Sequence, residues 1–232
     1  MPVITLTGLN GCGAIEVGRE VARLMEVDYV DRLVLAEAAR KIGTSVAAVA
    51  DRTERAPRVS ERVASFLRTV LERSASASPG GDPYFGGIDA LLVRDFRDMQ
   101  DTGTPPDTIK DQQLLAVTSS VIRELAASGR VVFVGRGSHI ILKEWPDTLH
   151  VRLSASTERR IRRVMERERL DRQEAKRCIA ESDKGRLFYY QRFFKVNPQD
   201  SQQYHVTLNM DWLSDAKAAV IVTSAYQTVV KP

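Results

Sequence analysis

Residues 3–13 constrain this chain more than any other stretch. Val3-Ile4-Thr5-Leu6-Thr7 is a short apolar and β-branched run, the composition of a buried strand. Gly8-Leu9-Asn10-Gly11-Cys12-Gly13 follows as a tight turn, and Val17, Val21 and Leu24 then recur at helical spacing. Strand, glycine turn and helix in succession make an anion cradle. Small residues let backbone N–H groups reach phosphate oxygens, and the helix N-terminus adds favourable partial charge. The general pattern is G-x-x-x-x-G-K-[ST]. Here it runs from Gly8 to Gly13 and then gives Ala14-Ile15, so the lysine that would touch phosphate and the hydroxyl that would ligate Mg²⁺ are both missing.

Further strands are legible at Asp28-Tyr29-Val30, at Val131-Val132-Phe133-Val134 between Gly129 and Gly135, at His150–Leu153 and at Tyr204–Leu208. Helical patterns lie between them: 33–42, 44–51, 58–73 with Val59, Val63, Phe66, Leu67, Val70 and Leu71 on one face, 88–99 and 112–128. The face at 58–73 suits either a helical subdomain or contact with a second copy, so a homo-oligomer is compatible with the sequence. Residues 74–87, rich in Ser, Pro and Gly, predict a loop in which Tyr84-Phe85 could close over a base or anchor the loop. Strands alternating with helices predict an α/β fold whose parallel sheet is covered on both faces.

With 232 residues the chain fits one large domain, or a core with an inserted subdomain. No apolar run is long enough to span a membrane. The N-terminal MPVITLTG enters a strand at once, leaving no room for a charged leader and apolar signal core, which points to a cytoplasmic protein. Two distant cysteines, Cys12 and Cys178, indicate neither a disulfide framework nor a metal cluster. The formal charge of +4 is regional: residues 158–195 hold ten Arg and three Lys against seven acidic residues, and the remainder of the chain is net acidic. Because those acids interleave with the bases, the segment lacks the unbroken positive track that binds nucleic acid, and its arginines suit nucleotide phosphates or a solvated face.

Ligands of open parallel sheets bind beyond the carboxyl ends of the strands. The glycine turn, Asp31-Arg32 and Gly135-Arg136-Gly137 fall at such ends, and the basic segment follows the strand at 150–153. Arg136, between glycines that admit a ligand, is a candidate phosphate clamp. The basic segment has the outline of a helical hairpin, with Asp171 and Glu174 as a capping box for its second helix. Arg159, Arg163 and Arg186 are the arginines expected to bring charge onto a migrating phosphoryl group; others would pair with Glu158, Glu166 and Glu168. His139, His150 and His205 are scattered and suggest no nucleophilic or metal chemistry.

These residues resemble the cytidylate kinase-like family of P-loop kinases. The stretch from Val131 to Phe194 carries a V-G-R element, an arginine-rich lid and a D-K-x-R-x-x-Y-Y run, here Asp183-Lys184-Gly185-Arg186-Leu187-Phe188-Tyr189-Tyr190. At the N-terminus, Gly11-Cys12-Gly13-Ala14-Ile15-Glu16-Val17-Gly18 is similar to the family's lysine-free G-S-G-G-S-E-I-G, followed at the same spacing by Tyr29-Val30-Asp31 for Y-x-D. The resemblance covers about residues 3–55 and 115–222. It implies a three-layer P-loop NTPase-type parallel sheet in a single kinase-like domain over 1–232. A helical and loop insert at 56–112 would be a monophosphate-binding subdomain, and 156–195 a helical lid. It implies transfer of the ATP γ-phosphate, with Mg²⁺, to CMP, dCMP or a related nucleotide. Donor phosphates would lie at Gly8, Gly11, Cys12, Gly13, Ala14 and Ile15, and the monophosphate near Asp31, Arg32, Arg136 and Asp183. Arg136, Arg159, Arg163 and Arg186 would serve catalysis.

The chain departs from the family where Ala14 replaces a glycine and Ile15 a serine. Ala14 is tolerated if its φ is negative and obstructs if φ must be positive. Ile15 removes the hydroxyl expected to ligate the metal, and no protein ligand for Mg²⁺ emerges from the sequence. A nucleotide-binding sensor or subunit with the same fold and impaired turnover is therefore the alternative reading.

Overall fold

A computed structural model gives the fold, and the structure describes residues 1–33, 35, 96–98 and 109–230. Most of the helix expected at 33–42, the helices expected at 44–51 and 58–73, the loop at 74–87 with Tyr84-Phe85 and most of the 56–112 insert lie outside the described residues. Five parallel strands form one sheet: β1 Val3–Gly8, β2 Asp28–Val30, β3 Val131–Val134, β4 Thr148–Ser154 and β5 Val206–Asn209, in the order β2-β3-β1-β4-β5. β1 is central, with Leu6 opposite Val134 on one side and Val151 on the other. The chain runs from β1 outward to β2 and then returns across to β3 and β4, so the carboxyl ends of β1 and β3 flank the point where the connections change direction.

The helices are α1 Ala14–Met25, α2 Ile109–Ser128, α3 Ser138–Ile141, α4 Thr157–Glu168, α5 Arg172–Phe194 and α6 Asp215–Ala225. Of the helix expected over 88–99 only residues 96–98 are described, as a 3₁₀ turn at Phe96–Asp98, and the rest lies outside the described residues. The period-two alternation of the strands divides the sheet into two unlike faces. Ile4, Leu6, Val132, Leu149, Val151 and Leu153 meet Val17, Val21 and Ala22 of α1 and Ala218, Ala219 and Val222 of α6 in one apolar core. Each large side chain buried there contributes roughly 1.5–3 kcal/mol. The other face carries Thr5, Thr7, Phe133 and His150, all buried. Thr5 Oγ1 lies 2.8 Å from His150 Nδ1, and Thr7 receives Arg186 from α5. α3 packs against β1 and α2 on this polar side.

Two boundaries differ instructively from expectation. The helix expected from Val17 begins at Ala14, because Gly13, at φ +91°, turns the chain directly into the first helical turn. β5 begins at Val206 instead of Tyr204. Tyr204 is drawn off the strand by its hydroxyl, which donates to Pro198 O at 2.8 Å and lies 3.1 Å from His139 Nε2. The hairpin of α4 and α5 follows expectation closely: Ser156 caps α4, accepting from Arg159 N, and Asp171 with Glu174 forms a complete capping box on α5.

Candidate active site

The turn after β1 is shaped by its neighbours as well as by its own residues. Gly11, at φ +84°, lies so close to α4 that a Cβ there would fall 2.8 Å from the Arg160 carbonyl oxygen, and a Cβ on Gly13 would run into Arg163 Nη1. Glycine at 11 is therefore required for packing the hairpin as well as for its backbone, whereas at 13 the neighbour is the movable end of Arg163 and the φ of +91° is what calls for glycine. Ala14 opens α1 and is not among the residues with positive φ, so the alanine is accommodated without backbone strain. Cys12 is buried beneath the turn, and burial pushes its thiol pKa up, keeping it protonated.

At the end of β3 the left-handed residues Gly135, Arg136 and Gly137 follow in succession, with φ of +78°, +53° and +74°. For a non-glycine residue this costs on the order of 1 kcal/mol or more. The surroundings hold Arg136 there: its carbonyl accepts from the Tyr189 hydroxyl at 3.3 Å, and Gly137 N–H donates to the Tyr190 hydroxyl at 3.3 Å. Its guanidinium lies 4.8 Å from the centroid of Phe96 and 5.6 Å from that of Tyr189. Arg136 is only 2 % exposed, so a charged group is held inside the protein at the end of a central strand. Charges buried in this way are retained only where partners or ligands compensate them.

The D-K-x-R-x-x-Y-Y run supplies most of this support. Asp183 accepts Arg160 Nη2 on both oxygens at 2.7 Å, Arg186 reaches Thr7 across the sheet, and Tyr189 and Tyr190 hold the Gly135–Gly137 segment. Helical spacing of three and four residues puts Asp183, Arg186 and Tyr190 on one side of α5. Beneath them His139 contacts Tyr190 and Tyr204. Burial holds the His139 pKa down to about 3, and burial with His205 nearby holds His150 down to about 4, so both rings are neutral at pH 7.

Turn, strand ends and hairpin enclose a cavity of about 260 Å³. Of the residues expected from the sequence, Gly8, Gly11, Gly13, Ala14, Ile15, Asp31, Arg32, Arg136 and Arg186 line it. Four others do not. Cys12 points into the core, and Asp183 is occupied by Arg160. Arg163 packs outside the turn, donating to Asp215 Oδ1 at 2.7 Å and lying 3.5 Å from Glu16. Arg159 stands in the first turn of α4 and is not among the lining residues.

Phe96, Arg97 and Arg167, which no sequence signal marks, also line the cavity, together with Glu168, the expected partner of the segment's arginines, which pairs with Arg97 and Arg167. Phe96 and Arg97 belong to no motif, and among ten interleaved arginines nothing marks Arg167. Arg160, buried with Ile161 and Val164, could have been found. It lies four residues before Val164 on the helix's apolar stripe, an unusual place for an arginine unless it is paired.

A glycine turn between the first strand and helix of a parallel sheet, facing buried arginines at the adjoining strand end, defines a P-loop-type α/β protein. The sequence profile of the cytidylate kinase-like family matches residues 3–212, and the chain belongs to that family. A cytidylate kinase of Methanopyrus kandleri is 32% identical over 108 residues, covering 43% of this chain and 56% of the relative. One of Methanospirillum hungatei is 30% identical over 111 residues, covering 47% and 61%. The chain thus spans somewhat more than half the length of the curated relatives it matches. The crystal structure of an uncharacterized protein from Eubacterium ventriosum shares the fold, with a TM-score of 0.60 at 17% identity over 98% of this chain and 97% of that one. No described helix is long and apolar enough to cross a membrane.

Proposed function

We propose that this protein transfers the γ-phosphoryl group of ATP to a nucleoside monophosphate, CMP or dCMP being the acceptors that its family membership suggests. The observation that carries the reading is one cavity shared by the Gly11–Ile15 turn and the buried Arg136 and Arg186. In the reaction the bond from Pγ to the β–γ bridging oxygen breaks as a bond to an oxygen of the acceptor phosphate forms. The electron pair stays on the bridging oxygen, which becomes part of ADP. The acceptor phosphate has a second pKa of about 6 and is largely dianionic at pH 7. A general base is therefore unnecessary, in keeping with the neutral, buried histidines. What the chain must provide is position and positive charge.

In this reading backbone N–H groups from Gly11 to Ile15 hold the donor phosphates, while Arg136 and Arg186 clamp the acceptor phosphate near Asp31 and Arg32. Arg163, fixed between Glu16 and Asp215, holds the turn in shape, and Arg160 with Asp183 does the same from the hairpin. Among the described residues no cluster of three His, Cys, Asp or Glu side chains could hold a metal. The site fits Mg²⁺ retained chiefly by phosphate oxygens and water, with Glu16 or Asp31 as the carboxylate within the cavity wall. When bound, the metal neutralises phosphate charge. Glu16 Oε2 is buried and lies 3.5 Å from Arg163 Nη1, an ion pair that a metal at Glu16 would have to share.

The deciding experiment offers ATP, Mg²⁺ and a panel of monophosphates to the protein and measures diphosphate product beside nucleotide binding. Product with pyrimidine monophosphates is expected; binding without product for every acceptor would overturn the kinase reading. One observation favours a second reading, a nucleotide-binding sensor: Ile15 presents no hydroxyl at the metal position. If that position limits turnover, Ile15→Ser should raise both the Mg²⁺-dependent gain in ATP affinity and the rate by about tenfold, the value of one charge-assisted contact. Robust wild-type turnover that Ile15→Ser leaves unchanged would remove the sensor reading.

A further inference from the structure

Arg136 and Arg186 reach one cavity wall from different elements, the end of β3 and the middle of α5, and both are buried. Two like charges taken out of water at one site repel each other and lose hydration. An aromatic face offsets part of that cost, because it attracts a cation without taking up the N–H groups that a phosphate uses. Three rings surround the two guanidinium groups. That of Arg136 lies 4.8 Å from the centroid of Phe96 and 5.6 Å from that of Tyr189, and that of Arg186 lies 4.9 Å from Tyr190 and 5.5 Å from Phe96. Phe96 is the ring common to both cations. Tyr189 and Tyr190 also use their hydroxyls to hold the backbone at Arg136 and Gly137. Phe96 carries no hydroxyl and comes from the 3₁₀ turn packed against α5, where it meets Tyr189 at 5.6 Å with the ring planes 61° apart.

We propose that Phe96 is a positioning residue: its ring holds the Arg136 and Arg186 guanidinium groups in place together, leaving their N–H edges for a phosphate in the cavity. It acts through the two arginines, so its loss changes how well a phosphate is gripped there and leaves the glycine turn untouched. The inference rests on reading Arg136 and Arg186 as the clamp of the acceptor phosphate, while the ring–cation assembly itself is measurable without any ligand.

The test uses the whole chain with two readouts. In spectra of isotope-labelled arginine side chains, without ligand, the Nε–H signals of Arg136 and Arg186 are assigned from Arg136→Lys and Arg186→Lys. Both should move when the ring current is removed in Phe96→Leu. In titrations, Phe96→Leu should weaken CMP about tenfold and leave ATP within about twofold, as expected for lost cation–ring attraction. Phe96→Tyr, which keeps the aromatic face, should stay near wild type. Phenylalanines with one, two or three ring fluorines at position 96 keep the shape while draining the negative face, and they should weaken CMP stepwise. They also decide the matter if Phe96→Leu melts early. Ribose 5-phosphate, which has no base, should lose as much affinity as CMP. Arginine signals that stay in place, fluorinated rings that bind CMP like wild type, or a loss confined to CMP, which would make Phe96 a stacking surface for the base, would each overturn the proposal. Arginine signals that move as expected in a protein that binds ATP but neither CMP nor ribose 5-phosphate would dismiss the kinase reading and leave Phe96 as the residue that positions the two arginines.

Discussion

The two faces of the sheet are both buried, yet they are built from different chemistry. Under α1 and α6 the strands present Ile4, Leu6, Val132, Leu149, Val151 and Leu153 to a dry aliphatic core. On the reverse, the same strands present Thr5, Thr7 and His150 to a network that includes Arg186, His205, Tyr190 and Tyr204. The first face maximises apolar burial and is indifferent to detail beyond volume. The second must satisfy each donor and acceptor, and it sets the position of Arg136 and Arg186, two of the arginines that line the cavity. Stability and chemistry are therefore separated by the alternation of side chains along β1.

That contrast can be broken experimentally, and the largest effect is expected on the polar side. Arg136→Ala should reduce use of the monophosphate about a hundredfold, the worth of two charge-assisted bonds, with far less effect on ATP binding. Steady-state kinetics read against ATP titration would show this, and equal losses for both nucleotides would reassign the arginine. Leu149→Ala, wholly on the aliphatic side, should cost about 3 kcal/mol in denaturant unfolding while leaving nucleotide affinity within a factor of two. Loss of binding in that variant would mean that the faces are not independent.

A subtler difference concerns acid. The folded-state pKa of His150, about 4, lies below its ordinary value of 6.5 because the ring is buried neutral, and that of His139 is about 3 for the same reason. The unfolded chain thus binds more protons between these values, so stability is fully present above pH 6.5 and falls as the pH drops toward 4. Between pH 6.5 and pH 4 each ring accounts for roughly 3 kcal/mol, at about 1.4 kcal/mol per pH unit. His150→Gln should flatten that slope in unfolding curves taken from pH 7 to pH 4.5. An unchanged slope would place the acid sensitivity elsewhere. The smallest effect belongs to the solvent. The exposed Arg172–Glu158 pair, at 2.7 Å, should leave the melting temperature almost unmoved when Glu158 becomes Gln, because water screens it.

Much of the framework was legible before the structure. Val3–Thr7 and Val131–Val134 announce buried strands by continuous apolar or β-branched character, and Asp171 with Glu174 announces a helix start by a local hydrogen-bond pattern. The site was legible in part. Arg136 stood out because a strand end and two glycines frame it, a local signal. Arg163 carried the same local signal as Arg159 or Arg167, yet it turns to Asp215, a residue 52 positions away. Nothing in helical periodicity distinguishes an arginine that meets a carboxylate from one that lines a cavity.

The sequence by itself determined the five strands, the helical hairpin after the fourth, the glycine turn with its missing lysine and hydroxyl, and the family, because each of these is written in neighbouring residues. Only the tertiary structure decided which arginines line the cavity, that Gly11 makes room for the backbone of α4, and that Phe96 and Arg97 enter the cavity wall. Those outcomes depend on contacts between residues far apart in the chain, and their energy exists only once the sheet has brought the strand ends together.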